Sequence, residues 1–311
     1  MEILWENTLR LSIVHVMAYP TAQPGESFYL ESLNRLARDD FFSVLEIVWL
    51  KDSALRKTVR EIAESAHVTL TYGAQPALLN QKLDLSSPND LERNRAVEQV
   101  KTCIDEAAEI GAERMSLLSG FYHGEQQRER SMRLLVDSLN EICSYGEQKH
   151  MPITLEAFDR EVEKKCLIGP AEDAATLTRT LRRDHPDFGI MYDMAHGPLL
   201  NETARHGLTL LKRYLVHIHL GNCVKKNPAH PFFGDKHPRF GVRGGEHDVE
   251  ELVRFIKILF DVGYISRKPK REGRLPIVGF EIKPMPGEDP DLVIAGTKRV
   301  WKEAWARLQL S

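Results

Sequence analysis

Short runs of aliphatic, β-branched and aromatic residues alternate along this chain with longer stretches in which apolar positions recur at helical spacing. The short runs predict strands at Arg10–Ala18, Phe42–Leu50, Val68–Tyr72, Arg114–Ser119, Pro152–Phe158, Gly189–Met194, Leu215–Gly221 and Ile277–Lys283. The amphipathic stretches predict helices at Ser27–Arg38, Ser53–Ala66, Asp90–Ile110, Glu125–Lys149, Ala171–Arg183, Asn201–Lys212, Val249–Leu259 and Leu292–Leu308. Ser53, and the run Ser87-Pro88-Asn89-Asp90, supply N-cap signals for two of them. Strand and helix alternating in this way specify an α/β protein with a parallel sheet, and eight pairs specify a closed (β/α)8 barrel. The 311 residues suit one such domain spanning 1–311, with no linker or repeat dividing it.

Charged residues inside apolar runs reveal which face of each strand points into the barrel, because side chains alternate along a strand. In Thr154-Leu155-Glu156-Ala157 the inward positions are Thr154 and Glu156. The same parity turns Asp193 inward, with His196 just beyond it on the loop. His217 and His219 share one face of the seventh strand, and Glu281 and Lys283 face inward on the eighth, beside the compact Gly279. Three carboxylates and a histidine gathered at one end of a barrel repel one another and lose hydration unless a cation sits among them. Glu156, Asp193, His219 and Glu281 form an O3N set that suits one divalent ion, Mn2+ first, with Mg2+ or Co2+ as alternatives. Glu46, inward in the second strand, either bonds within the interior or lines the site.

Glu156 in Leu-Glu-Ala-Phe, Asp193-x-x-His196, His217-x-His219 and Glu281 in Phe-Glu-Ile-Lys resemble the xylose isomerase-like TIM-barrel superfamily. The resemblance runs over the whole chain in strand order. It implies metal ligation by Glu156, Asp193, His219 and Glu281, substrate contact by His196, and a supporting position for His217 beside the substrate. It also implies a metal-dependent isomerase or epimerase of a ketose or sugar derivative. Glu156 and Glu281 would exchange a proton on opposite faces of the sugar through an enediolate. A homo-oligomer or a small partner subunit is expected on the same ground.

Two loops depart from the compact epimerases of that group. Residues 223–246, after the seventh strand, are long and rich in Gly, Pro and His. Across 233–248, His237, Arg239 and His247 either bind substrate hydroxyls or a carboxylate beneath a glycine-hinged lid, or belong to a surface connector. After the fourth strand, His123 is placed to act as an extra acid or base. These histidines motivate the alternative of a lyase acting on 3-keto-glycosides or keto-inositols. The aromatic residues Trp49, Tyr19, Phe121, Tyr122 and Phe232 are available to line its mouth. An endonuclease IV-like role is disfavoured, since neither further histidine and carboxylate ligands nor a basic DNA-binding face is evident, and intact ligand positions argue against a catalytically dead barrel.

Composition narrows the partners. With 42% hydrophobic and 28% charged residues the chain is an ordinary globular one, and no apolar stretch reaches the roughly 20 residues a membrane helix needs. A net charge of -3 and a pI near 6.5 give no field for nucleic acid or an anionic membrane. The basic clusters Lys225-Lys226 and Arg267-Lys268-Pro269-Lys270-Arg271 read as solvated loops. Cys103, Cys143, Cys166 and Cys223 lack C-x-x-C spacing and read as packing residues. The amino-terminal residues carry no export signal, so a cytoplasmic location is expected.

Overall fold

The computed structural model describes residues 4–266 and 274–308. Eight parallel strands close on themselves in sequence order: β1 (Arg10–Val14), β2 (Val44–Val48), β3 (Thr69–Gly73), β4 (Met115–Leu117), β5 (Ile153–Glu156), β6 (Gly189–Asp193), β7 (Leu215–Leu220) and β8 (Ile277–Phe280). A crossover helix joins each strand to the next: Ser27–Ala37, Ser53–Ala66, Asp90–Glu109, Glu125–Gln148, Ala171–Leu181, Ala204–Leu211 and Val249–Asp261. Pro290–Ala306 follows β8. The result is the expected (β/α)8 barrel. The basic run 267–271 lies outside the described residues.

The strands alternate as their sequences require. Leu11, Ile13, Leu45, Ile47, Leu155, Ile190, Ile218, Leu220 and Phe280 point outward and are buried beneath the helices. Trp301, on the last helix, is fully buried with its ring 5.8 Å from Phe280 and nearly perpendicular to it. Several helix starts carry acidic or polar caps: Asp52 accepts from Leu55 N–H, Asn89 from Leu91 N–H and Thr203 from His206 N–H, while Asp248 and Glu251 form a capping box. The cap of the second crossover helix is thus Asp52, with Ser53 as its first helical residue.

Two further departures from the sequence expectation have local causes. The first strand ends at Val14, and His15–Ala18 turns into a short helix whose Val16 and Met17 line the cavity at the barrel mouth. Between β6 and β7 the register slips, so that Ile190 pairs with Leu215 but Met191 pairs with His217. Val216 is left over, and Gly189 makes room for it, since a Cβ there would lie 2.3 Å from a Val216 methyl. The slip brings His217 and His219 level with the inward Met191 and Asp193. All four cysteines are free and buried, and desolvation pushes the Cys103 thiol up to about 12, in keeping with a packing role. No helix among the described residues is long and apolar enough to cross a membrane.

Candidate metal centre and active site

The carboxyl ends of β5, β6, β7 and β8 bring Glu156, Asp193, His219 and Glu281 together, with one ligand atom from each lying within 4.8 Å of the others. His219 Nδ1 faces the three carboxylates, at 2.9 Å from Glu281 Oε2, 3.7 Å from Asp193 Oδ2 and 3.8 Å from Glu156 Oε1. Glu156 Oε1 and Asp193 Oδ2 are buried and have no hydrogen-bond partner. Buried carboxylate oxygens are rarely left so, and two aimed into one cluster with an imidazole nitrogen fit the donor set of a divalent cation.

Three of the four are held from behind. Glu46 on β2 lies beneath His219, with its Oε2 3.0 Å from His219 Nε2 and its Oε1 3.2 Å from His217 Nε2. Ser12 Oγ donates to the same Oε1 at 2.6 Å. An imidazole bonded through one nitrogen to a carboxylate presents the other in a fixed orientation. Gly279 makes the arrangement possible, since a Cβ there would stand 2.3 Å from both Glu46 Oε1 and Ser12 Oγ. Gln75 Nε2 donates to Glu156 Oε2 at 2.7 Å, which leaves Oε1 turned to the cluster. Asp193 Oδ1 accepts from Ala195 N–H at 2.5 Å, which leaves its Oδ2 turned the same way.

The long segment after β7 packs onto the barrel mouth and adds Asp235 and His237. Asp235 Oδ1 lies 2.8 Å from His237 Nε2 and 3.1 Å from His196 Nε2, while His196 Nδ1 donates to Ala157 O at 2.7 Å. Asp193, His196 and His237 form a second group close enough to share a cation. The expectation that no further histidine and carboxylate accompany the four ligands is therefore corrected. His237 adopts a left-handed backbone (φ 50°), and Gly221 leaves room for its ring, since a Cβ there would be 2.6 Å from His237 Nδ1. Asn222 ties the segment down by donating to Arg239 O and accepting from the N–H groups of Glu246 and His247. With His237 and His247 buried, the segment is packed into the barrel mouth and is not a surface connector.

Charge in this region is densely compensated. Burial, then Glu281, push Glu156 up to about 8. Burial would raise Glu281 as well, but His237 and His219 outweigh it and hold this carboxylate down to about 2. Burial lowers His219, yet Glu46 and Glu281 keep it well above the ordinary imidazole value. His237 is raised to about 9 in the same way, with Glu281 and Asp235 overcoming burial. Lys164, after β5, has its Nζ 3.3 Å from Asp235 Oδ2, and although burial lowers it, Asp235 and Glu163 raise it overall, so it stays cationic.

A cavity of about 250 Å³ opens beside the cluster. Glu46, Gln75, Glu156, Lys164, His219, Asp235, His237 and Glu281 supply its polar wall, facing Val14, Val16, Met17, Val48, Pro76, Leu79 and Phe158. Several expected contacts do not reach it. His123 Nε2 pairs with Asp84 Oδ2 at 2.7 Å outside the lining. Arg239 Nε turns to Glu288 at 2.7 Å, His217 lies behind Glu46, and His247 Nδ1 meets Gly221 O. Lys283 is engaged through its backbone N–H, which donates to His237 O, and its side chain is not in the lining. The apolar wall is aliphatic plus Phe158, and the aromatics Trp49, Tyr19, Phe121, Tyr122 and Phe232 lie outside it. Gln75, Lys164 and Asp235 were not singled out in the sequence; the one available signal was the density of charge and glycine in the segments that carry the latter two.

Fold and site together define a class: a closed (β/α)8 barrel with an O3N carboxylate and histidine cluster at the carboxyl ends of its strands. The family of xylose isomerase-like TIM barrels matches residues 38–266, and the chain belongs to that family. Among solved structures it is similar to D-psicose 3-epimerase with D-tagatose from Clostridium cellulolyticum H10 (17% identity, TM-score 0.70, covering 96% of this chain and 99% of that one). It is also similar to the IOLI protein with a binding zinc atom (13% identity, TM-score 0.70, 97% and 100%). A third likeness is 3-keto-D-glucoside 4-epimerase, YcjR, from E. coli (14% identity, TM-score 0.64, 96% and 99%). At these identities the likeness is one of fold. No curated protein sequence matches the chain.

Proposed function

We propose that the protein is a divalent-metal-dependent isomerase or epimerase of a ketose or sugar derivative. The observation that carries this reading is the pair of unpartnered, buried oxygens, Glu156 Oε1 and Asp193 Oδ2, facing His219 Nδ1 and Glu281 beside an open cavity. Glu156, Asp193, His219 and Glu281 would hold the ion, with Mn2+ the leading candidate. A cation bound there supplies Lewis-acid polarisation of a carbonyl and its neighbouring hydroxyl, which acidifies the adjoining C–H.

The chain's own residues perform the rest. Glu156 and Glu281 reach the cavity from different strands, so one carboxylate accepts the substrate proton while the other returns a proton to the opposite face. Gln75 fixes the Oε2 of Glu156, and His237, 3.6 Å from Glu281 Oε1, orients the second carboxylate. Lys164 stays cationic at the cavity wall and attracts the oxygen on which negative charge develops. The aliphatic residues opposite exclude water and accept the less polar face of the sugar. Substrates named for similar folds, D-tagatose and a 3-keto-D-glucoside, support this choice of class.

A second reading, elimination from a 3-keto-glycoside, is favoured by that aliphatic wall, which suits a substituent without hydroxyls. Incubation of Mn2+-loaded protein with ketoses and 3-keto-glycosides in D2O tests both. Deuterium in an intact sugar, lost in Glu156→Gln and Glu281→Gln, supports the epimerase. Release of an aglycone assigns the lyase, and exchange indifferent to metal removal sinks both.

A further inference from the structure

At the opposite, amino-terminal end of the barrel a separate hollow of about 400 Å³ is lined by Arg10, Arg114, Lys212 and Arg274, with Glu113 as its only acidic lining residue among those described. It shares no residue with the cavity at the metal centre. The chain as a whole carries a net charge of -3, so four cations around one carboxylate are a local arrangement and not a consequence of composition.

The ion pairing leaves part of this charge unanswered. Glu113 receives Arg10 through both oxygens, at 2.7 and 2.9 Å, and also pairs with Arg274. Arg114, just before β4 and partly buried, donates from Nη1 to the Thr154 hydroxyl at 2.8 Å, its one side-chain hydrogen bond among the described residues. No described carboxylate comes within 4.0 Å of its guanidinium, and burial pulls it below the ordinary guanidinium range. Tyr264, Glu113 and Asp187 offset this only in part, the two carboxylates from beyond that distance. Lys212, exposed at the end of helix Ala204–Leu211, has no ion pair or hydrogen bond among the described residues. A desolvated guanidinium is costly unless an anion meets its remaining N–H groups, and its planar fork matches an oxyanion.

We propose that this hollow is a binding site for a phosphate-type oxyanion, seated between the Arg114 guanidinium and the Lys212 ammonium with Arg10 at its edge. The anion could arrive as free phosphate or as the phosphate of a small metabolite, since both present the same oxygens. Its place at the amino-terminal face separates it from the reacting carboxylates. It nevertheless meets the strand that carries one of them, because Arg114 bonds Thr154, two residues before Glu156 on β5.

The test is calorimetric titration of the metal-free full-length protein with inorganic phosphate and, separately, with a sugar phosphate, at fixed ionic strength against a chloride control. Saturable binding is expected, weakened about tenfold or more in Arg114→Gln and in Lys212→Ala and retained in Glu281→Gln. Lys212 is exposed, so its variant keeps the test valid if Arg114→Gln fails to fold. Tighter binding of the ester identifies a metabolite phosphate as the occupant, and equal binding identifies the free anion; either upholds the site. Absence of saturable binding, binding unaltered in both cation variants, or loss of binding in Glu281→Gln alone would overturn it.

Discussion

Glu46 Oε2 lies 3.0 Å from Nε2 of His219, whose other ring nitrogen faces the three carboxylates of the candidate metal centre. Burial raises the Glu46 carboxyl, but His219 and His217 outweigh it and hold it well below the usual range, so this carboxylate stays ionised. It fixes the imidazole so that Nδ1 faces the three carboxylates. Glu46→Gln is therefore expected to weaken divalent-ion affinity by about 10–100-fold while leaving the fold intact. Competition with a chelating dye measures this, and unchanged affinity would deny Glu46 its positioning role.

Metal binding and pH are linked through the same cluster. In the metal-free protein Glu156 rests at about 8 and His237 at about 9, both above their unfolded values of 4.5 and 6.5. Groups raised on folding contribute stability that is full below the unfolded value and lost as pH rises through the folded one. The melting temperature of the metal-free protein is thus expected to fall between pH 7 and 9. Ion affinity should weaken as pH drops below about 8, because a proton on Glu156 competes with the cation. Scanning calorimetry with and without Mn2+ across this window checks both, and a flat metal-free profile would contradict the assignment.

His15 gives the opposite sign at lower pH. Its Nε2 meets Ser32 Oγ at 2.8 Å, its Nδ1 has no partner, and burial pushes it down to about 3. Its contribution is present above pH 6.5 and is lost as pH falls toward 3, where the unfolded chain takes up the proton first. His15→Gln should lower the melting temperature at pH 7 yet narrow the difference between pH 7 and pH 5. An unaltered pH dependence would remove His15 as a source of acid sensitivity.

Two glycines make a matched pair for mutation. Gly279→Ala drives a methyl to 2.3 Å from Glu46 Oε1 and Ser12 Oγ, whereas Gly296→Ala, in helix Pro290–Ala306, meets nothing within 4 Å. The first is expected to cost about 1–3 kcal/mol and to weaken metal binding, through overpacking behind His219. The second should gain about 0.5–1 kcal/mol from helix propensity alone. Urea unfolding of both variants, read with metal affinity, separates a site effect from a general one.

The sequence by itself determined the barrel and which four inward residues gather at its carboxyl end. Strand follows helix eight times in order, and alternation along each strand turns a charge in an apolar run into a statement about which way it points. For that reason the convergence of Glu156, Asp193, His219 and Glu281 is legible in the sequence, as are His217 beside them and Gly279 as a compact neighbour. Only tertiary structure decided what surrounds them. Asp235, His237 and Lys164 come from long segments without periodicity, whose positions follow from folding back onto the mouth, so that His237 reaches the site while Arg239, two residues on, turns to Glu288. Gln75 reaches Glu156 from an element 81 residues away, and His123 finds Asp84 before it finds the cavity. The register slip at Val216, which sets both histidines level with Met191 and Asp193, is a property of two strands packed together. Strand order and parity are local and repeat along the chain, whereas hydrogen-bond partners are chosen by proximity in space, and proximity exists only once the barrel has closed.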